Sequence, residues 1–290
     1  MGGGTYCSTV RLARATDLGY FDKPSSEIFT QRSINNAMSP YNITTRESRD
    51  SKEHPNSLAI VLALDTTGSM GSIPNALVKN GLPAIVSNII QKGITDPQIL
   101  FMGVGDHEVD SAPLQVGQFE SSDELLDKWL TTVYLEGGGG GNAGESYLLA
   151  WYFAGFKTSI DCFEKRKQKG FLFTIGDEPT LSDISVNAIK KIMGDGQYQT
   201  FTALELLDKA RESYHVFHVH LKETGSGSRQ YVIDGWKQLM QDSLIIAERH
   251  DQVANLIADK VIEIQKNYFS SVTPTVNPSS DSTPIDGMML

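Results

Sequence analysis

From Leu58 onward the chain alternates between short, nearly continuous apolar runs and longer segments with helical spacing. The runs are LAIVLAL (58–64), ILFMGV (99–104), FLFTI (171–175), HVFHVHL (215–221) and SLIIA (243–247). Three of these runs are nearly continuous, which predicts strands covered on both faces. Between them, Leu125, Leu126, Trp129, Leu130 and Val133 fall on one helical face, as do Val253, Leu256, Ile257, Val261 and Ile264. Residues 145–156, ESYLLAWYFAGF, are apolar nearly all round and predict a buried helix. The helix following Pro74 contains Gly81 and Pro83 and is expected to kink or break there. Strands alternating with helices predict an α/β fold: a doubly wound, mainly parallel sheet with helices on both faces.

The flanks have a different texture. Residues 1–56 are polar and interrupted by Pro24, Pro40 and Pro55, so they are expected to form an irregular N-terminal extension. Its last part, TTRESRDSKEHPNS (44–57), is expected to be a solvated lead-in. The domain itself is placed at 57–267, followed at 268–290 by a Ser/Thr/Pro-rich tail expected to be disordered. The sequence shows no internal repeat.

Composition narrows the function. A formal net charge of −10 argues against general affinity for nucleic-acid phosphates. Cys7 and Cys162 are the only cysteines and lie far apart, which leaves neither a disulfide framework nor a zinc ribbon. No apolar stretch reaches membrane-spanning length, and the N-terminus lacks a signal-peptide core. The expectation is a cytoplasmic protein that does not engage a membrane.

In a parallel sheet of this kind, ligands sit beyond the carboxyl ends of the strands. After the first strand come Asp65, Thr66, Thr67, Gly68 and Ser69, and a tight turn at Gly68 lets residues 65, 67 and 69 face one point. Asp106 follows the next strand, Asn142 ends a glycine run before the buried helix, and Asp177 and Glu178 follow FLFTI. These are hard oxygen donors, suited to Mg²⁺, Mn²⁺ or Ca²⁺ and not to zinc or copper. Taken alone, DTTGS is equally a turn capping a helix.

The order and spacing of these residues resemble the von Willebrand factor A domain and its metal-ion-dependent adhesion site. The family's D-x-S-x-S is matched by Asp65, Thr67 and Ser69, with threonine keeping the first hydroxyl. Asn142 stands where the family has a threonine in the loop before a buried helix, and Asp177 matches the aspartate after the next strand. The resemblance covers roughly residues 57–267 and is nearest to phage and bacterial members. It implies Mg²⁺ held by Asp65, Thr67, Ser69, Asn142 and Asp177, with Thr67 and Ser69 binding directly and the two aspartates through water or, in another state, one of them directly. It further implies a protein partner that offers an Asp or Glu carboxylate to an open coordination position. In phage and bacterial settings it points to a AAA+ ATPase of the MoxR type, with this chain as adaptor or cofactor in the cytoplasm, the host's if phage-encoded.

Two other readings stay open: a Mg²⁺-dependent hydrolase or phosphatase using Asp65, and a structural, virion-associated protein with a vestigial site. Phosphoryl transfer calls for a second acid two residues after Asp65, where Thr67 stands, and no G-K-[ST] follows the glycine run 137–141. His218 and His220 share a strand face and are expected to be core histidines. Asp106, Glu145 and Glu178 are either supports of the site or ordinary loop and helix-terminal acids. KETGSGSR (222–229) is expected to be a flexible turn.

Overall fold

Every residue of Leu58–Asp65 is buried, as its lack of polar alternation requires. In the computed structural model, which describes residues 5–19, 22–137 and 144–272, this strand is the interior of a six-stranded sheet. The strands are β1 (Leu58–Asp65), β2 (Pro97–Val104), β3 (Leu114–Glu120), β4 (Gly170–Gly176), β5 (Tyr214–Leu221) and β6 (Leu244–Ala247). Their spatial order is β6-β5-β4-β1-β2-β3, all parallel except β3, which runs antiparallel to β2. The helices that matter below are α1 (Ser8–Asp17), α2 (Leu82–Gln91), α3 (Asp123–Thr132), α4 (Tyr147–Lys157), α5 (Ala203–Arg211), α6 (Gln230–Met240) and α7 (Val253–Val272).

Successive side chains of β1 divide between two cores. Ile60, Leu62 and Leu64 pack with Ile85 and Ile89 of α2 and with Val253, Ile257 and Val261 of α7. Ala59, Val61 and Ala63 face the other way, toward α4 and toward Leu206 and Leu207 of α5. The small residues on this side admit α4, whose Tyr147 to Ala154 are all buried. Each large apolar side chain removed from water contributes roughly 1.5–3 kcal/mol, so the sheet is held from both faces.

Strand β3 lies outside the sequence expectation because Gln115, Gly117 and Gln118 interrupt its apolar pattern. The structure accounts for two of these interruptions, Gln115 and Gly117. The Gln115 amide donates to Tyr134 O at 2.9 Å and accepts from Tyr134 N at 2.8 Å. Gly117 leaves room for the Trp129 ring, 3.1 Å from where a Cβ would stand.

The N-terminal extension, expected to be irregular, contains a helix at Ser8–Asp17 among its described residues. Helix α1 packs on α3, with Arg11 Nε on Asp127 at 2.8 Å and Arg14 on Asp123 at 2.7 Å. Tyr6, Ile28, Phe29 and Met38 join the same core as α2 and α7. The charged lead-in is likewise tied down: Arg46–Ser48 forms a short parallel pair with Thr158–Ile160. Arg49 then pairs with Asp161 at 2.8 Å, and Asp50 with Arg166 at 2.7 Å.

The helix after Pro74 is interrupted near Gly81 and Pro83, as expected, but runs on past the proline. Residues Leu77–Gly81 form a π-helical stretch between Ile73–Ala76 and α2. Proline supplies no N–H to the carbonyl four residues back, Lys79 O. Arg11 of the extension donates to that carbonyl at 3.0 Å, and Tyr6 Oη donates to Pro83 O at 3.0 Å. At the other end, α7 continues to Val272. The segment expected to be disordered thus begins with helix, and residues 273–290 lie outside the described residues. Among the described residues, no helix is long and apolar enough to cross a membrane.

The sheet grows from β1 in two directions, through β2 on one side and β4 on the other. At such a reversal the loops leaving the two strands diverge and open a crevice at their carboxyl ends. Asp65 ends β1, and Asp177 directly follows β4.

Candidate metal centre

Asp65 and Thr67 point into this crevice because strand geometry sends alternate residues to the same side, whereas Thr66 turns back into the sheet. Its Oγ1 and N both donate to Val104 O, at 3.1 and 2.9 Å. Thr67 then caps a short 3₁₀ turn, Gly68–Met70, that swings Ser69 back toward Asp65.

The result is a chain of side-chain oxygens. Thr67 Oγ1 donates to Asp65 Oδ1 at 2.6 Å, and Thr67 N donates to the same oxygen at 2.9 Å. The Thr67 and Ser69 hydroxyls are 3.2 Å apart, and Ser69 Oγ donates to Asp177 Oδ1 at 3.0 Å. Asp65 and Asp177 are both fully buried. Four of the five expected site residues therefore meet at one point, and the fifth, Asn142, lies outside the described residues.

Residues the sequence reading left aside complete the surroundings. Tyr147, at the start of α4, donates its hydroxyl to Asp65 Oδ2 at 2.6 Å. Gly176 makes this possible, since a Cβ there would meet Tyr147 Oη at 1.9 Å. Thr224 Oγ1 donates to Asp177 Oδ2 at 2.6 Å, and Ser226 Oγ donates to Glu178 Oε1. The turn 222–229 is thus a clasp on the acids after β4, not a free loop. Its glycines and serines signal only flexibility in sequence, and the contacts become visible once β5 is placed beside β4.

His218 and His220 are core histidines, as expected. The His218 ring stacks on Trp236 with centroids 3.5 Å apart, and its Nδ1 meets Thr174 Oγ1 at 2.9 Å. His220 Nε2 meets Gly227 O at 2.8 Å. Burial lowers the basicity of both rings.

Carboxylates dominate the electrostatics. Burial, reinforced by the charge of Asp177, pushes the Asp65 carboxyl up to about 7. Glu145, just before α4, is pushed up further, by burial first and then by the charge of Asp65. Glu145 Oε2, Asp106 Oδ2 and Glu178 Oε2 are buried without a hydrogen-bond partner. Buried acceptors left in this state are costly unless a cation or a proton meets them.

A divalent cation fits these residues. Cis ligands of Mg²⁺, each bound at about 2.0–2.1 Å in an octahedron, lie about 2.9 Å apart. The Thr67–Ser69 separation of 3.2 Å is close to that spacing before any rearrangement, and the bond from Ser69 to Asp177 orients one of the two hydroxyls. Among the described residues, no cluster of three or more His, Cys, Asp or Glu side chains converges as a metal site. The donors here are instead two hydroxyls backed by aspartates.

No protein-family model matches the chain, and no curated protein does. Among solved structures, the pilus adhesin SpaC from Lactobacillus rhamnosus GG is similar in two forms. One aligns at TM-score 0.50 and 13% identity over 77% of this chain and 32% of the adhesin. The open conformation aligns at TM-score 0.48 and 10% identity, over 77% of this chain and 31% of that one. Proximal thread matrix protein 1 from the mussel byssus aligns at TM-score 0.45 and 9% identity, over 76% of this chain and 49% of its own. The chain therefore spans about a third of the adhesin's length, and at these identities the likeness concerns the fold alone.

Proposed function

We propose that the chain is a doubly wound domain of the von Willebrand factor A type, acting as a metal-dependent protein-binding module and not as an enzyme. The observation that supports this most is the pair of Thr67 and Ser69 hydroxyls 3.2 Å apart, each donating to a buried aspartate, Asp65 and Asp177. In this reading Thr67 and Ser69 bind Mg²⁺, or Mn²⁺ or Ca²⁺ in its place, while Asp65 and Asp177 hold its waters. Asn142, outside the described residues, is the fifth ligand position that the family resemblance supplies. An ion bound largely by neutral hydroxyls stays electron-poor, and a partner's Asp or Glu carboxylate completes its coordination. A AAA+ ATPase of the MoxR type is the partner class that the family resemblance supplies.

The test is thermal. An ion that binds only the folded state stabilises it by about 2.7 kcal/mol at one hundred times its dissociation constant. At roughly 2–4 °C per kcal/mol, saturating Mg²⁺ or Mn²⁺ should raise the melting temperature by about 5–10 °C over an EDTA control. Asp65→Ala should remain folded and lose that increment. Melting indifferent to millimolar Mg²⁺, Mn²⁺ and EDTA would overturn the reading in favour of a vestigial site.

A further inference from the structure

Glu145 occupies the last position before Ser146 and α4, and its backbone is fixed on both sides. Its N donates to Pro179 O at 2.8 Å, its O accepts from Leu181 N at 2.9 Å, and Ser146 N donates to Gly105 O at 3.1 Å. The loops after β2 and β4 therefore hold this residue at the crevice. The residue is only 7% exposed, and Oε2 has no hydrogen-bond partner. The Thr67 hydroxyl lies within hydrogen-bonding reach of its carboxyl, and the charges of Asp65, Asp110 and Asp106 act on it. A carboxylate oxygen, buried, unpartnered and held beside a hydroxyl that sits at ligand spacing, has the chemistry of a ligand awaiting an ion.

We infer that Glu145 is a direct ligand of the cation, supplying a carboxylate from within the chain; the inference rests on the cation site proposed above. The inner coordination then comprises the Thr67 and Ser69 hydroxyls and one Glu145 oxygen. The remaining positions go to water or a partner, and Asp65 and Asp177 orient the waters. Hard, mostly neutral oxygens with a single anionic ligand are a donor set that Mg²⁺ and Mn²⁺ accept. Glu178 serves as an internal comparison. It also has an unpartnered buried oxygen, but its other oxygen is taken by Ser226.

The experiment is a calorimetric titration of the full chain with Mn²⁺, together with water-proton relaxation of the bound ion. Glu145→Gln keeps size and removes charge, whereas Glu145→Asp keeps charge and withdraws the oxygens by one methylene. Both should weaken Mn²⁺ binding tenfold or more, Glu178→Gln should stay within twofold, and Glu145→Gln should add about one water to the ion's inner sphere. Should Glu145→Gln fail to fold, the Glu145→Asp titration decides the matter. Wild-type affinity and water count in the Glu145 variants, with binding lost in Ser69→Ala, would overturn the role of Glu145 and leave the cation site standing. A wild-type chain that binds no Mn²⁺ would overturn both.

Discussion

An ionised carboxylate loses most of its hydration when it enters the crevice above β1, and the hydrogen bonds from Thr67 and Tyr147 restore only part of it. The Asp65 carboxyl therefore rises to about 7, with Asp177 adding repulsion to the effect of burial. A carboxyl raised in the folded state binds its proton more tightly there than in the unfolded chain, whose aspartates ionise near 3.9. Between these values the unfolded state gives up protons that the folded state keeps, so stability falls as pH rises. In EDTA, the denaturation midpoint should decline from about pH 4 upward through pH 7, and Glu145, also raised, extends the decline to higher pH. Asp65→Asn should flatten that slope, and a profile that rises across this range would contradict the account. At this scale the sequence was informative where the chemistry is local: Asp65, Thr67 and Ser69 sit within five residues, and Asp177 ends a recognisable strand. Tyr147 was hidden because hydropathy records its ring within an apolar helix and not its hydroxyl. The gap that lets that hydroxyl reach Asp65 is a missing Cβ at Gly176, distant in sequence.

Elements were legible in proportion to how fully their own residues determine them. The buried runs of β1, β2, β4 and β5 contain no competing period, and α7 carries an uninterrupted apolar face, so both kinds of element follow from spacing alone. Strand β3 did not follow, and near Pro83 only the interruption did and not the form it takes, because each depends on a partner. The amide of Gln115 is at home in β3 only through the Tyr134 backbone. The helix through Pro83 continues with a π-helical stretch and an outside donor, Arg11, on Lys79 O. Arg11 also lies on Asp127 with both side chains mostly buried. Removing one member of a buried ion pair typically costs about 3–5 kcal/mol, and Arg14, 3.6 Å from Asp127, offsets part of that loss. Arg11→Ala should thus destabilise by about 3 kcal/mol in urea denaturation. In a Pro83→Ala background the residue-83 N–H can serve Lys79 O, so the same substitution should cost less there. Costs that add to within about 0.5 kcal/mol would show that Arg11 and Pro83 act independently.

For the whole molecule, the boundary drawn at residue 57 separates two textures of sequence but not two bodies. Polar composition and scattered prolines made residues 1–56 look irregular, because their apolar residues are too sparse to show a period. Packing gathers those few residues into one place: Tyr6, Ile28, Phe29 and Met38 enter the core formed by α2 and α7. Around them, Arg11 and Arg14 meet the buried acids of α3. At roughly 1.5–3 kcal/mol for each large apolar side chain buried, these four contribute an amount comparable to the net stability of an ordinary domain, about 5–15 kcal/mol. Deleting residues 1–45, which spares the strand pair at Arg46–Ser48, should therefore remove most or all of the cooperative unfolding transition. It should also leave Asp123 and Asp127 without their arginines and expose apolar surface on α2 that binds a dye such as ANS. Because the crevice lies on the sheet whose face this core covers, the shortened chain should lose cation-dependent stabilisation as well, even though every proposed ligand is retained. A deletion variant that melts cooperatively within a few degrees of the full chain and still responds to Mn²⁺ would show that the domain does begin near residue 57 and that the extension is an appendage.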